Sequence, residues 1–238
     1  MKEEEIRPNK LFDTLLDLIV EDVDTYFLNA KYTNENCPAC NKKGQFVFSK
    51  NKFHFEECSF CKTLYVNPRP DKQSLNKYYT ESKSTKFWAT TFYKATEKNR
   101  REKVWKPKAQ LIYDKIIQYR KETQNIIDIG GGYGIFVEEF NKISSISHVI
   151  IEPSYDLAQI CRDKGLFVVE KFLEDVNKND LTKKFNTFVS FELFEHLLSP
   201  KIFLEILHKI MNSNDIFIFT TLNGMGVDIQ SLWEDSKS

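Results

Sequence analysis

The sequence predicts an α/β protein in which a doubly wound, mostly parallel sheet follows a small metal-binding module. Two observations predict this fold class. Short apolar runs alternate with helical stretches from Gln124 onward, and four cysteines upstream form two C-x-x-C pairs. With 41% hydrophobic and 29% charged residues, the chain of 238 residues can bury a core of ordinary size.

Charge and hydropathy restrict the partners. The 34 basic and 34 acidic side chains cancel, which removes the electrostatic footprint of a dedicated nucleic-acid binder. Residues 71–122 hold 14 Lys or Arg against 6 Asp or Glu, so this stretch faces either an anionic ligand or solvent. No apolar run approaches the roughly 18 residues of a membrane span, and residues 1–10 lack the apolar core of a signal peptide. We therefore expect a cytoplasmic protein that contacts no membrane.

The first segment, residues 1–35, carries apolar residues at helical spacing between positions 8 and 30. This pattern predicts an amphipathic helix that packs against the rest of the protein. The second segment, residues 36–70, alternates apolar and polar positions and ends at two prolines, which predicts short strands. The predicted strands of this segment are 45–48, 52–57 and 64–66.

The second segment also holds the predicted metal ligands Cys37, Cys40, Cys58 and Cys61. The two C-x-x-C pairs are separated by 17 residues, the spacing of two turns that each present two thiolates to a tetrahedral Zn²⁺. Four sulfur ligands leave no open position for water, so we expect a structural rather than a catalytic zinc. The alternative is a set of four unligated core cysteines.

Residues 71–123 form a basic connecting segment with a helical pattern between positions 74 and 122. Pro107 predicts either a break in this helical stretch or the first turn of a helix. The residues predicted to share one buried face are Trp105, Ala109, Ile112, Ile116 and Tyr119.

Residues 124–238 contain five runs that are mostly apolar, which is typical of parallel strands buried on both faces. They predict a sheet that helices cover on both sides. The predicted strands are 125–129, 147–151, 166–169, 186–191 and 215–222.

A glycine-rich turn follows the first of these strands. Asp128 precedes Gly130, Gly132 and Gly134, and this spacing departs from the dinucleotide frame G-x-G-x-x-G. Glycines let the backbone approach a ligand closely and expose amides to it. Glu152 ends the second strand, where a doubly wound fold places a carboxylate that accepts both ribose hydroxyls. Glu174 and Asp175 follow the third strand, where a side chain can reach an adenine amino group. The alternative is that these acidic residues follow the strands by coincidence.

With these motifs, the chain resembles class I S-adenosylmethionine-dependent methyltransferases from residue 36 to about residue 235. The cysteine pairs and the run from Tyr65 to Pro70 are similar to the subgroup with an N-terminal zinc-binding module, which includes sugar C-methyltransferases. The resemblance implies S-adenosylmethionine as the cofactor. It implies these contacts: Gly130, Gly132 and Gly134 along the methionyl part, Asp128 near its ammonium group, Glu152 on the ribose, Leu173 and Glu174 by the adenine, and Phe191 as a further cofactor-binding residue.

Glu192, Glu195 and His196 follow the fourth strand and face the crevice where such sheets bind ligands. In the family this strand end flanks the transferred methyl group, so His196 and Glu195 are the candidate catalytic residues. His196 is either a general base or, with both glutamates, a ligand of a divalent cation, a pattern that resembles quinone-biosynthetic catechol O-methyltransferases. A third interpretation is that Glu195 and His196 cap and order the following helix.

The resemblance implies an enzyme that methylates a carbon or oxygen of a small molecule, for example a nucleotide-linked sugar or another cell-surface precursor. The basic stretch 71–122 would suit a diphosphate on that acceptor. Two alternatives stay open. One is an RNA methyltransferase that holds RNA with its zinc module, and the other is a zinc-module protein that binds the cofactor or a partner without catalysis.

The family's sheet has seven strands in the order 3-2-1-4-5-7-6, whereas this chain supplies five, with 16 residues after the last. Either the sheet ends at the fifth strand or the chain is a fragment of a longer protein. In both cases an unpaired strand edge remains at 216–222, which is a template for association. We expect self-association through this strand, or dependence on a longer C-terminus for solubility, together with weak methyl transfer.

Overall fold

The computed structural model describes residues 3–177, 180–181 and 185–236. Its first helix, α1 (Asn9–Phe27), follows a 3-10 turn at Glu3–Glu5. Asp22 lies buried on this helix, where its carboxylate accepts hydrogen bonds from the amides of Lys83 (3.3 Å) and Ser84 (2.7 Å). These two bonds fix α1 to the start of a later helix.

The cysteine-bearing segment folds into two small antiparallel sheets. Its strands are β1 (Tyr32–Thr33), β2 (Gly44–Lys50), β3 (Phe53–Cys58), β4 (Leu64–Val66) and β5 (Arg69–Pro70). One sheet has the order β2-β3-β4, and the other pairs β1 with β5. The predicted positions of β2, β3 and β4 are confirmed to within two residues. The β1–β5 pair was not predicted, because two-residue strands show no periodicity.

The connecting segment is helical almost throughout. Helix α2 (Lys72–Glu81) begins at Asp71, whose side chain accepts the amide of Ser74 at 2.9 Å. A continuous helix then runs from Lys83 to Tyr119. It consists of α3 (Lys83–Phe87), a π turn (Trp88–Phe92), α4 (Tyr93–Arg100), a second π turn (Arg101–Trp105) and α5 (Lys106–Tyr119).

Pro107 lies in the first turn of α5, directly after the second π turn. Its missing amide therefore falls where the hydrogen-bond register already changes, and the helix does not break. Ala109, Ile112 and Ile116 are buried on one face as predicted. The prediction for Tyr119 is wrong: this side chain is 64% exposed, because it ends α5 beyond the last core contact.

The C-terminal half forms the predicted parallel sheet. Its strands are β6 (Asn125–Ile129), β7 (Ser147–Ile151), β8 (Val168–Val169), β9 (Thr187–Phe191) and β10 (Ile216–Thr220). All pairings are parallel, in the order β10-β9-β6-β7-β8, which confirms the predicted fold class. The direction of strand addition reverses between β6 and β9, so a crevice lies at the carboxyl ends of these two strands.

The connections between the strands are helices α6 (Ile135–Asn141), α7 (Tyr155–Asp163) and α8 (Pro200–Ile210). Successive strand residues enter different cores, because side chains on a strand alternate between its two faces. Ile126 lies in one core with residues of α5 and α6, whereas Ile127 lies in the other with residues of α8. Both faces of the sheet are thus covered, which explains why its strands are mostly apolar.

Strand β10 forms one edge of the sheet, and within the described ranges no strand pairs with its outer side. The chain continues into α9 (Val227–Leu232) and a 3-10 turn, where the ring of Trp233 packs on Phe48 with 5.7 Å between ring centroids. The C-terminal segment therefore contacts the cysteine-bearing module. Self-association through 216–222 stays a prediction.

The helices in the described part of the chain include none that is both long enough and apolar enough to cross a membrane.

Candidate functional site

The glycine-rich turn lies at the carboxyl end of β6, beside the crevice. Gly130 donates its amide to the carbonyl of Ile151 (2.8 Å), and Gly134 donates to Gly131 (2.9 Å). The first bond ties the turn to the end of β7, and the second closes the turn before α6 begins. Gly130, Gly132 and Gly134 all have positive φ, with values of 71°, 54° and 69°. Such a backbone path favours glycine.

Packing adds a second requirement for glycine at the turn. A Cβ at Gly134 would lie 2.5 Å from Leu166 and 3.1 Å from the sulfur of Cys161, and a Cβ at Gly130 would lie 2.9 Å from Leu193. Leu166 was predicted to begin the third strand, but it lies outside β8 and supports the turn instead. Larger residues would push the turn away from β7 and α7.

Glu152 follows β7 and is buried beside the turn. Its Oε2 accepts the amide of Gly132 and its Oε1 accepts the amide of Ser154, both at 2.9 Å. Burial raises the pKa of Glu152 to about 7, and the two hydrogen bonds oppose that rise. Each carboxylate oxygen has a second lone pair. Glu152 can therefore accept further donors from a ligand while it holds the turn in place.

Asp128, within β6, is completely buried. Neither of its carboxylate oxygens has a hydrogen-bond partner among the described residues. Burial raises the pKa of Asp128 to about 7, the charge of Glu152 adds to the rise, and Lys108 opposes it. A buried carboxylate without donors is costly. It fits a ligand that brings a cationic or hydrogen-bond-donating group to this end of β6.

Tyr133, inside the turn, is covered by the long connecting helix. Its ring stacks on Tyr93 with centroids 4.3 Å apart, and the Tyr93 hydroxyl accepts a hydrogen bond from Trp105 Nε1 at 2.6 Å. Tyr93 follows the first π turn and Trp105 ends the second. The sequence did not predict Tyr93, Trp105 and Tyr133 as part of the site. Its helical pattern does not indicate where π turns change the direction in which side chains point.

Charged side chains hold the second π turn against the glycine-rich turn. Arg101 donates to Glu97 (2.7 Å), Glu138 (2.9 Å) and Glu139 (2.6 Å). Lys164 donates to Glu138 and to the carbonyl of Tyr133, both at 2.9 Å. The network therefore joins the connecting helix, α6 and the turn itself.

Phe191 and Glu192, at the end of β9, form the opposite wall of the crevice. Glu192 has a φ of 51°, which is strained for a residue other than glycine. Its Oε1 accepts hydrogen bonds from Thr220 (2.7 Å) and Lys108 (3.3 Å). The Lys108 ammonium group also lies over the rings of Trp105 (5.0 Å) and Phe191 (4.9 Å). The sequence could not distinguish Lys108 from the other lysines of the basic stretch.

Glu195 and His196 lie in a 3-10 turn directly after this wall. Glu195 accepts a hydrogen bond from Thr221 at 2.9 Å, and the His196 ring meets Tyr79 edge to face at 5.9 Å. Burial of the imidazole lowers the pKa of His196, although the charges of Glu195 and Glu192 counteract this. As a residue, His196 is nevertheless accessible to solvent beside the end of β9.

The alternative of a divalent-cation site at Glu192, Glu195 and His196 finds no support. Glu192 and Glu195 accept hydrogen bonds from different threonines. Their carboxylate oxygens do not converge with the imidazole of His196. Throughout the part of the chain that the structure describes, the four cysteines form the only convergent group of three or more such ligands. The helix-cap interpretation is not supported either, because Ser199 accepts the amide of Ile202 at the start of α8.

Leu173 and Glu174 lie in a 3-10 turn after β8. Leu173 is buried in the core that includes α8, whereas the Glu174 side chain is exposed. A contact of either residue with an adenine stays a prediction.

The four cysteines converge, with sulfur atoms that all lie within 4.8 Å of one another. The sulfurs of Cys37 and Cys61 are 3.5 Å apart, as are those of Cys40 and Cys58. The two turns are built alike: each first cysteine donates its amide to the carbonyl five residues later, at 2.8 Å and 2.9 Å. Tetrahedral Zn²⁺ with Zn–S bonds of about 2.3 Å requires sulfur separations of about 3.8 Å. The donor set and its spacing fit Zn²⁺.

Comparison with protein families gives a match over more than half of the chain. A family model described as a methyltransferase domain matches residues 98–236. The mitochondrial ubiquinone biosynthesis O-methyltransferase of Dictyostelium discoideum is 26% identical over 116 residues. That alignment covers 43% of this chain and 36% of the relative, so the similarity extends over little more than a third of that protein.

Solved structures show the same fold. The plantazolicin methyltransferase BpumL in complex with SAH aligns with a TM-score of 0.52 and 14% identity, covering 68% of this chain and 64% of that chain. The same enzyme in complex with a triazolic desmethylPZN analog and SAH aligns with a TM-score of 0.51 and 15% identity, covering 68% of this chain and 63% of that chain.

Replacing Asp128 by Asn tests the buried carboxylate. The pKa of Asp128 is about 7 in the folded protein and about 3.9 in the unfolded chain. As the pH rises, the unfolded chain therefore loses the Asp128 proton before the folded protein does. The stability of the parent should therefore fall relative to Asp128→Asn as the pH rises from about 4 to about 7, and then level off. At about 1.4 kcal/mol per pKa unit, we expect a relative change of about 2–4 kcal/mol.

Urea unfolding of both proteins between about pH 4 and pH 8 measures this change. Asp163→Asn, at the exposed end of α7, is the matched control. A difference between parent and Asp128→Asn that stays constant with pH would show that Asp128 is ionised in the folded protein.

Proposed function

The chain belongs to the methyltransferase domain family, and we propose that it transfers the methyl group of S-adenosylmethionine to a carbon or oxygen of a small molecule. The pair of buried carboxylates at the glycine-rich turn carries this proposal. Asp128 has no hydrogen-bond partner among the described residues, and Glu152 holds the turn while keeping lone pairs for a ligand. Such a pair calls for a ligand with positive charge and several donors. S-adenosylmethionine has both and, when bound, supplies a methyl group activated by its sulfonium.

The residues of the crevice would bind different parts of this cofactor. Asp128 would accept hydrogen bonds from the ammonium group, which supplies the missing donors of that carboxylate. Glu152 would accept the ribose hydroxyls without releasing Gly132. The open backbone at Gly130, Gly132 and Gly134 would lie along the methionyl part, Leu173 and Glu174 would lie by the adenine, and Phe191 would form the facing wall.

His196 is the proposed general base, with Glu195 as its neighbour. An imidazole beside the end of β9 can take a proton from the acceptor as the methyl group is transferred. The charge of Glu195 opposes the lowering of the His196 pKa and would stabilise the imidazolium that forms. Tyr79 packs against the ring and limits its orientations.

The acceptor is a small molecule in this proposal. The Dictyostelium discoideum relative, named as an O-methyltransferase, supports an oxygen acceptor. The resemblance to sugar C-methyltransferases supports a carbon acceptor on a nucleotide-linked sugar. The balanced net charge disfavours RNA. A role in cofactor binding without catalysis would show as affinity for the cofactor with no turnover.

Cys37, Cys40, Cys58 and Cys61 would bind a structural Zn²⁺. A module of this size buries too little apolar surface to fold without such a tie, and zinc can contribute on the order of 10 kcal/mol. The module also contacts the rim of the crevice, because the Arg69 guanidinium donates to the carbonyl of Leu198, two residues after His196. Zinc binding would thereby support the position of the proposed base.

Replacing Glu152 by Ala should weaken binding of S-adenosylhomocysteine at least about tenfold. The variant removes two charge-assisted hydrogen bonds, each of about 1.5–3 kcal/mol. Isothermal titration measures the affinity, and Glu205→Ala on the exposed side of α8 is the control. An unchanged affinity in Glu152→Ala would contradict the ribose assignment.

Replacing His196 by Ala should lower turnover about a hundredfold or more and leave cofactor affinity unchanged, as expected for a general base. Transfer of labelled methyl groups to a panel of nucleotide sugars and catechols measures turnover. His208→Ala, exposed on α8, is the control. Full turnover in the His196→Ala protein would leave this residue without a chemical role.

Removal of zinc should unfold residues 36–70. The purified chain should hold one Zn²⁺, and both a chelator and the Cys58→Ser change should release it, because a tetrahedral site loses its stability with one ligand. Metal analysis and hydrogen exchange of 36–70 measure these effects. Cys161→Ala, outside the cluster, should keep the metal. Purified protein that folds fully without any metal would contradict the assignment.

A further inference from the structure

A cavity of about 320 Å³ adjoins the crevice at the end of β9. It lies between the segment that precedes α1 and the second π turn of the long helix. Its lining includes the charged residues Glu3, Arg7, Arg100, Lys108 and Glu192, together with Trp105. Two of them, Lys108 and Glu192, also form the crevice wall, so a molecule in the cavity would be in reach of the proposed reaction site.

Arg100 provides the main argument. This half-buried guanidinium donates to the hydroxyl of Thr96 (3.1 Å) and the carbonyl of Ile6 (3.0 Å), and it lies over the rings of Trp88 and Tyr93. Within residues 3–177, 180–181 and 185–236, no carboxylate lies within 4.0 Å of it. Burial lowers the pKa of Arg100, and the nearby charge of Arg7 adds to this effect. A buried cation without an anion is costly unless a ligand supplies one.

The other two cations of the cavity each pair with one carboxylate. Arg7 lies 3.5 Å from Glu3, whose side chain is 75% exposed, and Lys108 lies 3.3 Å from Glu192. Three cations thus face two carboxylates, which leaves the cavity with a net positive charge. In contrast, Arg101, next to Arg100 in the chain, pairs with three glutamates, whose negative charges offset its own.

Side chains of the long helix hold the segment that carries Arg7 in place by hydrogen bonds to its backbone carbonyls. Asn99 donates to the carbonyl of Glu5 at 3.0 Å, and Arg100 itself donates to the carbonyl of Ile6. Lys103 also pairs with the Glu5 carboxylate. Arg7 is therefore brought to the cavity by contacts with the same helix that carries Arg100, and the two guanidinium groups converge although they are distant in sequence.

We propose that this cavity binds an anionic group of the methyl acceptor, either a phosphoryl or a carboxyl group, through Arg7, Arg100 and Lys108. This assignment rests on the proposed function. Guanidinium groups match the oxygens of both groups in bidentate geometry. The ring of Trp105 offers an apolar surface beside the charges. An acceptor anchored here by its anion extends past Lys108 to the end of β9, where the methyl group would be transferred.

Titration calorimetry with inorganic pyrophosphate and with succinate tests the proposal. At least one probe should bind the parent, and the tighter one identifies the group as phosphoryl or carboxyl. Arg100→Gln and Lys108→Gln should each weaken that binding about tenfold, the loss expected for one charge-assisted hydrogen bond. The matched controls Arg162→Gln and Lys115→Gln, on the outer surfaces of α7 and α5, should bind the probe as the parent does.

Arg7→Gln is the second variant, because Arg100→Gln removes ring contacts as well as charge and can affect folding. It should weaken probe binding in the same direction with an unchanged circular dichroism spectrum. The proposal is overturned if neither probe binds the parent, or if the control variants lose as much affinity as the cavity variants. Titration of the parent with S-adenosylhomocysteine is a separate measurement. If S-adenosylhomocysteine binds and neither anionic probe does, only the anion-binding role of the cavity is refuted. If a probe binds and S-adenosylhomocysteine does not, only the proposed function is refuted.

Discussion

The hydrogen bond from the Gly132 amide to Glu152 is the contact on which the site depends. It follows from the register of β6 and β7, which are parallel and pair Ile129 with Ile151. The residue after β7 therefore reaches the turn after β6. The left-handed backbone at Gly132 aims its amide at that carboxylate. Without this bond the backbone bond from Gly130 to Ile151 would still tie the turn to the second strand, but the Gly132 amide would lose its partner and the Glu152 carboxylate its position beside the turn.

The same arrangement buries two carboxylates at a cost in free energy. Asp128 and Glu152 are buried near each other, and burial raises the pKa of both to about 7. Two carboxylates in a low-dielectric site cannot both ionise cheaply, so ionisation in the folded protein is delayed to a pH where the unfolded chain is already charged. A ligand that donates to these oxygens recovers that energy on binding. The free-energy cost of burying these two carboxylates and the affinity of the site for a cationic ligand thus have the same physical origin.

Segments outside the sheet complete the crevice from three directions. The long helix covers the turn through the Tyr93–Tyr133 stack and contributes Lys108 to the opposite wall. The cysteine-bearing module reaches the rim through Arg69 and the carbonyl of Leu198. The C-terminal segment returns to that module through Trp233 instead of extending the sheet. The crevice is therefore sensitive to the folding of regions that are remote in sequence.

The sequence by itself determined the five strands of the parallel sheet, the glycine-rich turn and the cysteine cluster. Each depends on a local rule: apolar runs indicate strands buried on both faces, glycine permits positive φ, and two C-x-x-C turns present four thiolates. It also indicated which residues follow the strand ends, because the carboxyl ends of parallel strands share one edge. For Glu152 this was enough to place its carboxylate beside the turn.

Only the tertiary structure decided how the basic stretch is used. Arg100 and Arg101 are neighbours in the chain, yet Arg101 bonds to three glutamates of two helices while Arg100 faces a cavity beside Arg7. The π turns that set these directions leave no periodic signal in the sequence. Likewise, the carboxylates of Glu192 and Glu195 turn to different threonines although their spacing resembles a cation site. Charge pairing depends on distances of a few ångströms between remote segments, and no local pattern contains those distances.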